Sequence, residues 1–204
     1  MNDGRIDLRI AELLAARLCH ELVSPVGAIN NGVELLADDP EFAADASELI
    51  GQSAAQATRR LQFYRVAYGS VVPIAADLAR KAALDLFAES KIACVWPEGL
   101  APSPGAKLVC NLLLVAAEAL PRGGSVTLGA GDSAGGAEVL VAGEGARLPA
   151  HLPDTLLVEP AVDALDARSV QAAFTGALAR RAGLVPSIAT QASGNLVFRL
   201  APHR

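Results

Sequence analysis

The sequence has little of what anchors small secreted folds, nucleic-acid surfaces or membrane spans. Three cysteines in 204 residues, Cys19, Cys94 and Cys110, stand far apart, so neither a disulfide framework nor a zinc knuckle is suggested. They read as small buried hydrophobes of a reducing compartment. Lysine is rare, no basic run occurs and the formal net charge is −5, which gives no support to nucleic-acid binding or to a polybasic membrane anchor. No run of about 18 apolar residues appears, and the opening residues, Met1-Asn2-Asp3-Gly4-Arg5-Ile6-Asp7, lack the charged-then-apolar layout of a signal peptide. The expectation is a soluble, cytoplasmic protein with neither a membrane nor a nucleic acid among its partners. What the chain has instead is aliphatic bulk. Hydrophobic residues make up 52% against 19% charged, enough for a sizeable core and against disorder.

The most periodic stretch predicts a helix from about Ile6 to Ala37. At about 100° per residue, Leu14, Leu18, Leu22, Val26, Ile29, Val33 and Leu36 share one stripe, and His20 falls almost opposite. A core histidine would not point that way. Two features separate His20 from an ordinary surface histidine. Pro25 lies inside the same apolar period, where a proline removes a backbone hydrogen bond and crowds the preceding turn at a cost of ~3 kcal/mol. The residues sharing the His20 face, Leu13, Ala16, Arg17, Val23, Ser24, Gly27 and Asn31, are mostly small and apolar where a solvated face would carry charge. That set predicts a docking surface. Cys19 projects about 100° away from His20, a poor geometry for a Cys-His nucleophilic pair.

Asp38-Asp39-Pro40-Glu41 supplies a stop and a restart, with Asp39 as N-cap and Pro40 at the first helical position. The next helix, about Glu41 to Tyr68, must return antiparallel because the connection is short. Its own stripe is Phe42, Ala46, Leu49, Ser53, Ala57, Leu61, Tyr64 and Tyr68. Two such helices bury only part of their stripes against each other, so a homodimer that pairs two hairpins into a four-helix bundle is the natural expectation. Gly69-Ser70-Val71-Val72-Pro73 breaks the pattern and places a boundary between a helical hairpin, residues 1–70, and a second domain, residues 71–204. The second domain alternates: a helix near Ala75 to Ala88, a strand Ile92 to Trp96, a helix Ala106 to Leu120, and strands Ser125 to Gly129 and Ala137 to Ala142. A helix about Ala167 to Ala182 and strands Val185 to Thr190 and Asn195 to Leu200 complete it. The fold class is α plus α/β, a hairpin followed by a two-layer sandwich. Trp96, Phe42, Phe63, Tyr64 and Tyr68 read as core or dimer packing, and neither His151 nor His203 is given a role.

His20-Glu21-Leu22-x-x-Pro25-x-x-Ala28-Ile29 matches the box around the phospho-acceptor histidine in the dimerisation and phosphotransfer domain of sensor histidine kinases. The longer run from Cys19 to Leu36 resembles, more specifically, the histidine phosphotransferase family of alphaproteobacterial phosphorelays. In the second domain, Asn111 to Val126 resembles the N-box of the histidine-kinase ATPase domain and the turn after it. The resemblance implies that His20 accepts a phosphoryl group, that Glu21 accepts a hydrogen bond from the other imidazole nitrogen, and that Ser24 meets the incoming partner or a water. Pro25 would shape the helix, and Leu13, Ala16, Arg17, Val23, Gly27 and Asn31 would line the partner surface. Neutral imidazole, with an unperturbed pKa of about 6.5, suits such a relay.

The implied partners are the receiver domain of a CckA-like hybrid histidine kinase as donor, CtrA-like and CpdR-like response regulators of cell-cycle control as acceptors, and a second copy of the chain. No cofactor of its own is implied. Val115 stands where the family's asparagine holds magnesium, Gly143 where an aspartate reads adenine and Arg147 at a glycine, while only Gly176 and Gly183 lie near the nucleotide lid. A valine cannot coordinate a hard cation, so magnesium would come with the partner receiver. An active histidine kinase or phosphatase core, and a scaffold that docks receivers without carrying phosphate, remain as alternatives.

Overall fold

The computed structural model describes residues 8–38, 40–69, 74–131 and 135–203. Helix α1 (Leu8–Asp38) stays helical straight through Pro25. A 3-10 turn, Pro40–Phe42, precedes α2 (Ala43–Tyr64), so the second helix starts later than its proline suggests, with Phe42 at the N-cap and no side chain capping it. The proposed cap, Asp39, lies outside the described residues. At its far end α2 does not continue as an α-helix to Tyr68. Arg65–Gly69 instead forms a wider π turn whose Val66 and Ala67 are buried, a local irregularity that a tertiary hydrogen bond described below explains.

The two helices lie antiparallel and close. Ala46 and Ser53 of α2 are buried, and Gly32 of α1 faces Ala46 and Ile50. A Cβ at Gly32 would come within 2.7 Å of the Ile50 side chain and 3.2 Å of the Ala46 carbonyl, so glycine there permits the approach. The stripes are covered on one flank only. Val26 (55%), Val33 (51%), Phe42 (46%) and Leu61 (54%) remain well exposed in the single chain, which is the uncovered half that the sequence pattern anticipates.

Helix α3 (Ala76–Phe87), strand β1 (Ile92–Val95), helix α4 (Ala106–Ala117), strands β2 (Gly124–Ala130) and β3 (Ala137–Ala142), helix α5 (Val170–Arg181) and strands β4 (Leu184–Thr190) and β5 (Leu196–Pro202) follow. The five strands form one mixed sheet in the order β1-β2-β3-β5-β4. β1 and β2 run parallel and every other pair antiparallel. Strict alternation in β3 buries Ala137, Val139 and Val141 and leaves Glu138, Leu140 and Ala142 half-exposed, the signature of a sheet covered on one face. On its other face Glu138 accepts from Arg199 Nε at 2.6 Å.

Helix α4 lies at the centre of the core, with Leu108 to Leu113, Val115 and Ala116 all buried. A helix apolar nearly all round is one that lies inside. Phe63, Val66 and Ala67 join the same core, so the end of the hairpin and the sheet region share one hydrophobic interior. Trp96 is buried as expected, its indole N–H donating to the Leu100 carbonyl. Two short turns, Pro153–Leu157 and Val162–Ala164, were not foreseen. They carry no periodic pattern; the first packs against α5, where a Cβ on Gly176 would meet the Leu156 carbonyl at 2.5 Å, and the second lies against α1.

Candidate functional site

The helix phase read from the sequence reappears on the surface of α1. His20 is exposed, and so are Ala16, Val23, Ser24, Gly27 and Asn31, with Leu13 half-buried. Val23 stands 68% open to solvent beside the histidine. Gly27 faces open space, with nothing within 4 Å of an added Cβ. The structure therefore brings seven of the sequence-nominated residues onto one continuous face.

Three nominated residues turn elsewhere. Pro25 is buried, so it shapes the helix from inside and cannot belong to a reacting surface. Glu21 is half-buried and points at α2, where Arg60 Nη1 donates to its Oε2 at 3.0 Å and also to its backbone carbonyl. The hydrogen bond expected from the imidazole to Glu21 is not formed, because consecutive helical side chains diverge by about 100° and do not face each other. Arg17 is likewise not a free docking cation. Its guanidinium reaches across to Glu118 Oε1 and to the Ala167 carbonyl, both at 3.4 Å.

Glu118, at the end of α4, is the meeting point of the hairpin and the sheet region. It also takes a 3.2 Å contact from His151 Nε2. Burial holds its pKa above the usual carboxylate range, and Arg17 and His151 offset only part of that rise. His151, left without a role on sequence grounds, thus has a structural one. Arg147 and Arg168 line the adjacent cleft with Arg17, Glu118 and His151. Nothing in the spacing of residues 17, 118 and 151 signals this cluster, since only the folded chain joins them.

A second network ties the π turn down. Asn111 Nδ2 donates to the Ala67 carbonyl and to the Lys107 carbonyl, each at 2.7 Å, and Asn111 Oδ1 accepts from Gln171 Nε2 at 2.8 Å. Gln171 in turn accepts from the Tyr68 hydroxyl. Tyr68 packs against Tyr64 and Phe174, and burial pushes its phenol up to about 12. The free carbonyl of a widened turn is thereby satisfied from α4, which accounts for the change of winding after Tyr64.

Of the cysteines, Cys19 is exposed, contrary to the expectation, while Cys110 is buried and Cys94 half-buried. Burial pushes the Cys94 and Cys110 thiols up to about 12, so neither offers a thiolate near neutral pH.

Two positions that the resemblance sets against nucleotide-binding residues are closed in. Val115 is fully buried in the core of α4. At Gly143 a Cβ would sit 2.5 Å from the Gly123 carbonyl and 2.8 Å from Leu120 Cδ2, so no aspartate could stand there without moving backbone. No group of three or more His, Cys, Asp or Glu able to hold a metal ion occurs among the described residues. Nor is any helix among them long and apolar enough to cross a membrane.

Comparison with known proteins adds three findings. Residues 76–194 match a family model described as the histidine phosphotransferase C-terminal domain. Over 200 residues, 94% of each chain, the sequence is 38% identical to the protein phosphotransferase ChpT of Brucella abortus (strain 2308). A solved structure described as a bacterial phosphotransferase at 1.7 Å superposes with a TM-score of 0.81 at 35% identity, covering 97% of this chain and 98% of that one. The family model covers the sheet region. The two whole-length matches extend to the hairpin that carries His20.

Proposed function

Since the chain belongs to the histidine phosphotransferase family, we propose that it carries phosphoryl groups between receiver domains of a multistep two-component phosphorelay, with His20 as the carrier. The observation that carries this reading is an exposed histidine on a face of small, uncharged side chains, in a chain alignable end to end with a protein phosphotransferase. In the forward step an imidazole nitrogen attacks the phosphorus of a receiver's aspartyl phosphate. The N–P bond forms as the acyl O–P bond breaks, and the aspartate leaves as carboxylate. The return step runs the same displacement onto another receiver's aspartate. Little covalent chemistry is asked of the protein in such a transfer, so its task is to hold the imidazole in line. The receiver would bring the magnesium that screens the phosphoryl charge.

The donor in this reading is the receiver of a CckA-like hybrid histidine kinase, and the acceptors are CtrA-like and CpdR-like response regulators, in the cytoplasm. The sheet region resembles a histidine-kinase ATPase domain that no longer serves nucleotide, a view supported by the buried Val115 and the crowded Gly143. The purified protein should take label from a phosphorylated receiver and none from radiolabelled ATP. Label taken directly from ATP would overturn this part of the reading.

Two further results are expected from the surface. Val23→Glu and Gly27→Glu should each lower transfer at least tenfold while leaving the hydrodynamic size unchanged, since both positions are open in the fold. Unimpaired transfer in both would mean that receivers dock elsewhere. The exposed flank of the hairpin stripe is read as the contact between two copies that builds a four-helix bundle. Val26→Glu with Val33→Glu should therefore halve the mass in sedimentation equilibrium, and a wild-type protein that already sediments as a monomer would dismiss the dimer.

A further inference from the structure

Pro25 has no N–H, so in α1 the carbonyl of the residue four before it, Glu21, receives no intrahelical hydrogen bond, and the proline ring crowds that same carbonyl outward. Pro25 is buried and Glu21 half-buried, so the orphaned carbonyl is turned toward α2 rather than toward water. Such a group requires another donor. Arg60 of α2 supplies one. Its Nη1 donates to the Glu21 carbonyl and, at 3.0 Å, to the Glu21 carboxylate. The guanidinium is itself held in place, with a side-chain exposure of 25%.

We infer that Arg60 stands in for the amide that Pro25 lacks, and that by fixing the Glu21–Leu22 peptide, one residue beyond His20, it is a positioning residue for phosphoryl transfer. The inference rests on His20 being the carrier. The peptide that Arg60 grips joins Glu21 to Leu22, so the register of α1 against α2 is pinned at the turn where an imidazole must stay in line with an incoming acyl phosphate. Misplacement by about an ångström costs such reactions heavily. An arginine suits the task because the planar guanidinium fixes the directions of the N–H groups on Nη1, which meets both acceptors, whereas lysine offers a freely rotating point charge.

A role limited to the ion pair would couple Arg60 to the Glu21 carboxylate. The role assigned here couples it to Pro25, and a double-mutant cycle separates the two. Pro25→Ala returns an N–H to the Glu21 carbonyl. Arg60→Ala should therefore lower the urea midpoint markedly in the natural background and clearly less in the Pro25→Ala background. In single-turnover transfer from a phosphorylated receiver, Arg60→Ala should slow the rate at saturating receiver by about tenfold, leave half-saturation unchanged, and regain most of the rate when combined with Pro25→Ala. Arg60→Lys should fall between the natural protein and Arg60→Ala in both measurements. Additive midpoints would overturn the clamp. Midpoints that couple while the saturated rate is unaffected by Arg60→Ala would overturn its part in positioning. If the natural protein takes no label at all, the relay reading fails, and the urea cycle alone still decides whether Arg60 replaces the missing amide.

Discussion

Replacing His20 with alanine should abolish acquisition of label from a phosphorylated receiver, leaving less than about a thousandth of the natural rate, because no other group on that face is a nucleophile. Ser24 is a neutral hydroxyl one turn away, and Cys19 projects to a different side of the helix. The fold should be untouched. His20 is exposed and makes no hydrogen bond among the described residues, and alanine is the better helix former, so stability should move by no more than about 0.5 kcal/mol. Loss of label with an unchanged melting curve is then a loss of chemistry. His151→Ala serves as the control. It removes a contact to Glu118 and should leave label on the protein acid-labile and of full stoichiometry, as expected of phosphohistidine at one site. Label persisting in the His20 variant would place the carrier elsewhere and return the scaffold reading for this face.

The largest effect on stability is expected at Asn111. Truncation to alanine removes three hydrogen bonds in a site with no access to water: two donated by Nδ2 and one accepted by Oδ1. The Ala67 carbonyl is left buried without that partner, an orphan of a kind that costs about 1–3 kcal/mol, and the Gln171 amide keeps only its 3.4 Å bond to Thr175 Oγ1. The Lys107 carbonyl, a helical acceptor already, loses less. A total near 3 kcal/mol is reasonable once partial relaxation is allowed, which for a chain of this length lowers the melting temperature by about 6–12 °C. Thermal unfolding followed by circular dichroism reads it directly. Gln171→Ala should cost less and should not add to Asn111→Ala, since the two share a bond. A loss under about 0.5 kcal/mol at Asn111 would show that the network is ornamental and that the π turn is held by Val66 and Ala67 packing alone.

Much of this molecule was legible residue by residue. The 3.6-residue period placed α1 and α2 within a few residues of their ends, and the same phase put His20, Val23, Ser24, Gly27 and Asn31 on one face, where the structure has them. Each of the five expected strands coincides with an observed one to within a residue or two at its ends. The misses share a cause. Glu21 was assigned to the imidazole because it adjoins it in sequence, and Arg17 to a partner because it lies near His20 on the helix. Both are claimed by groups distant in the chain, Arg60 and Glu118.

Local periodicity therefore determined which helices and strands form and which face of α1 carries the histidine, because those depend on backbone geometry and on where apolar side chains recur. The tertiary structure decided what the charged and amide side chains near that face do. Hydrogen-bonding groups reach several ångströms and pair with whatever the fold delivers. The partners of Glu21, Arg17 and Asn111 lie 39, 101 and 60 positions away, separations over which a sequence pattern holds no phase.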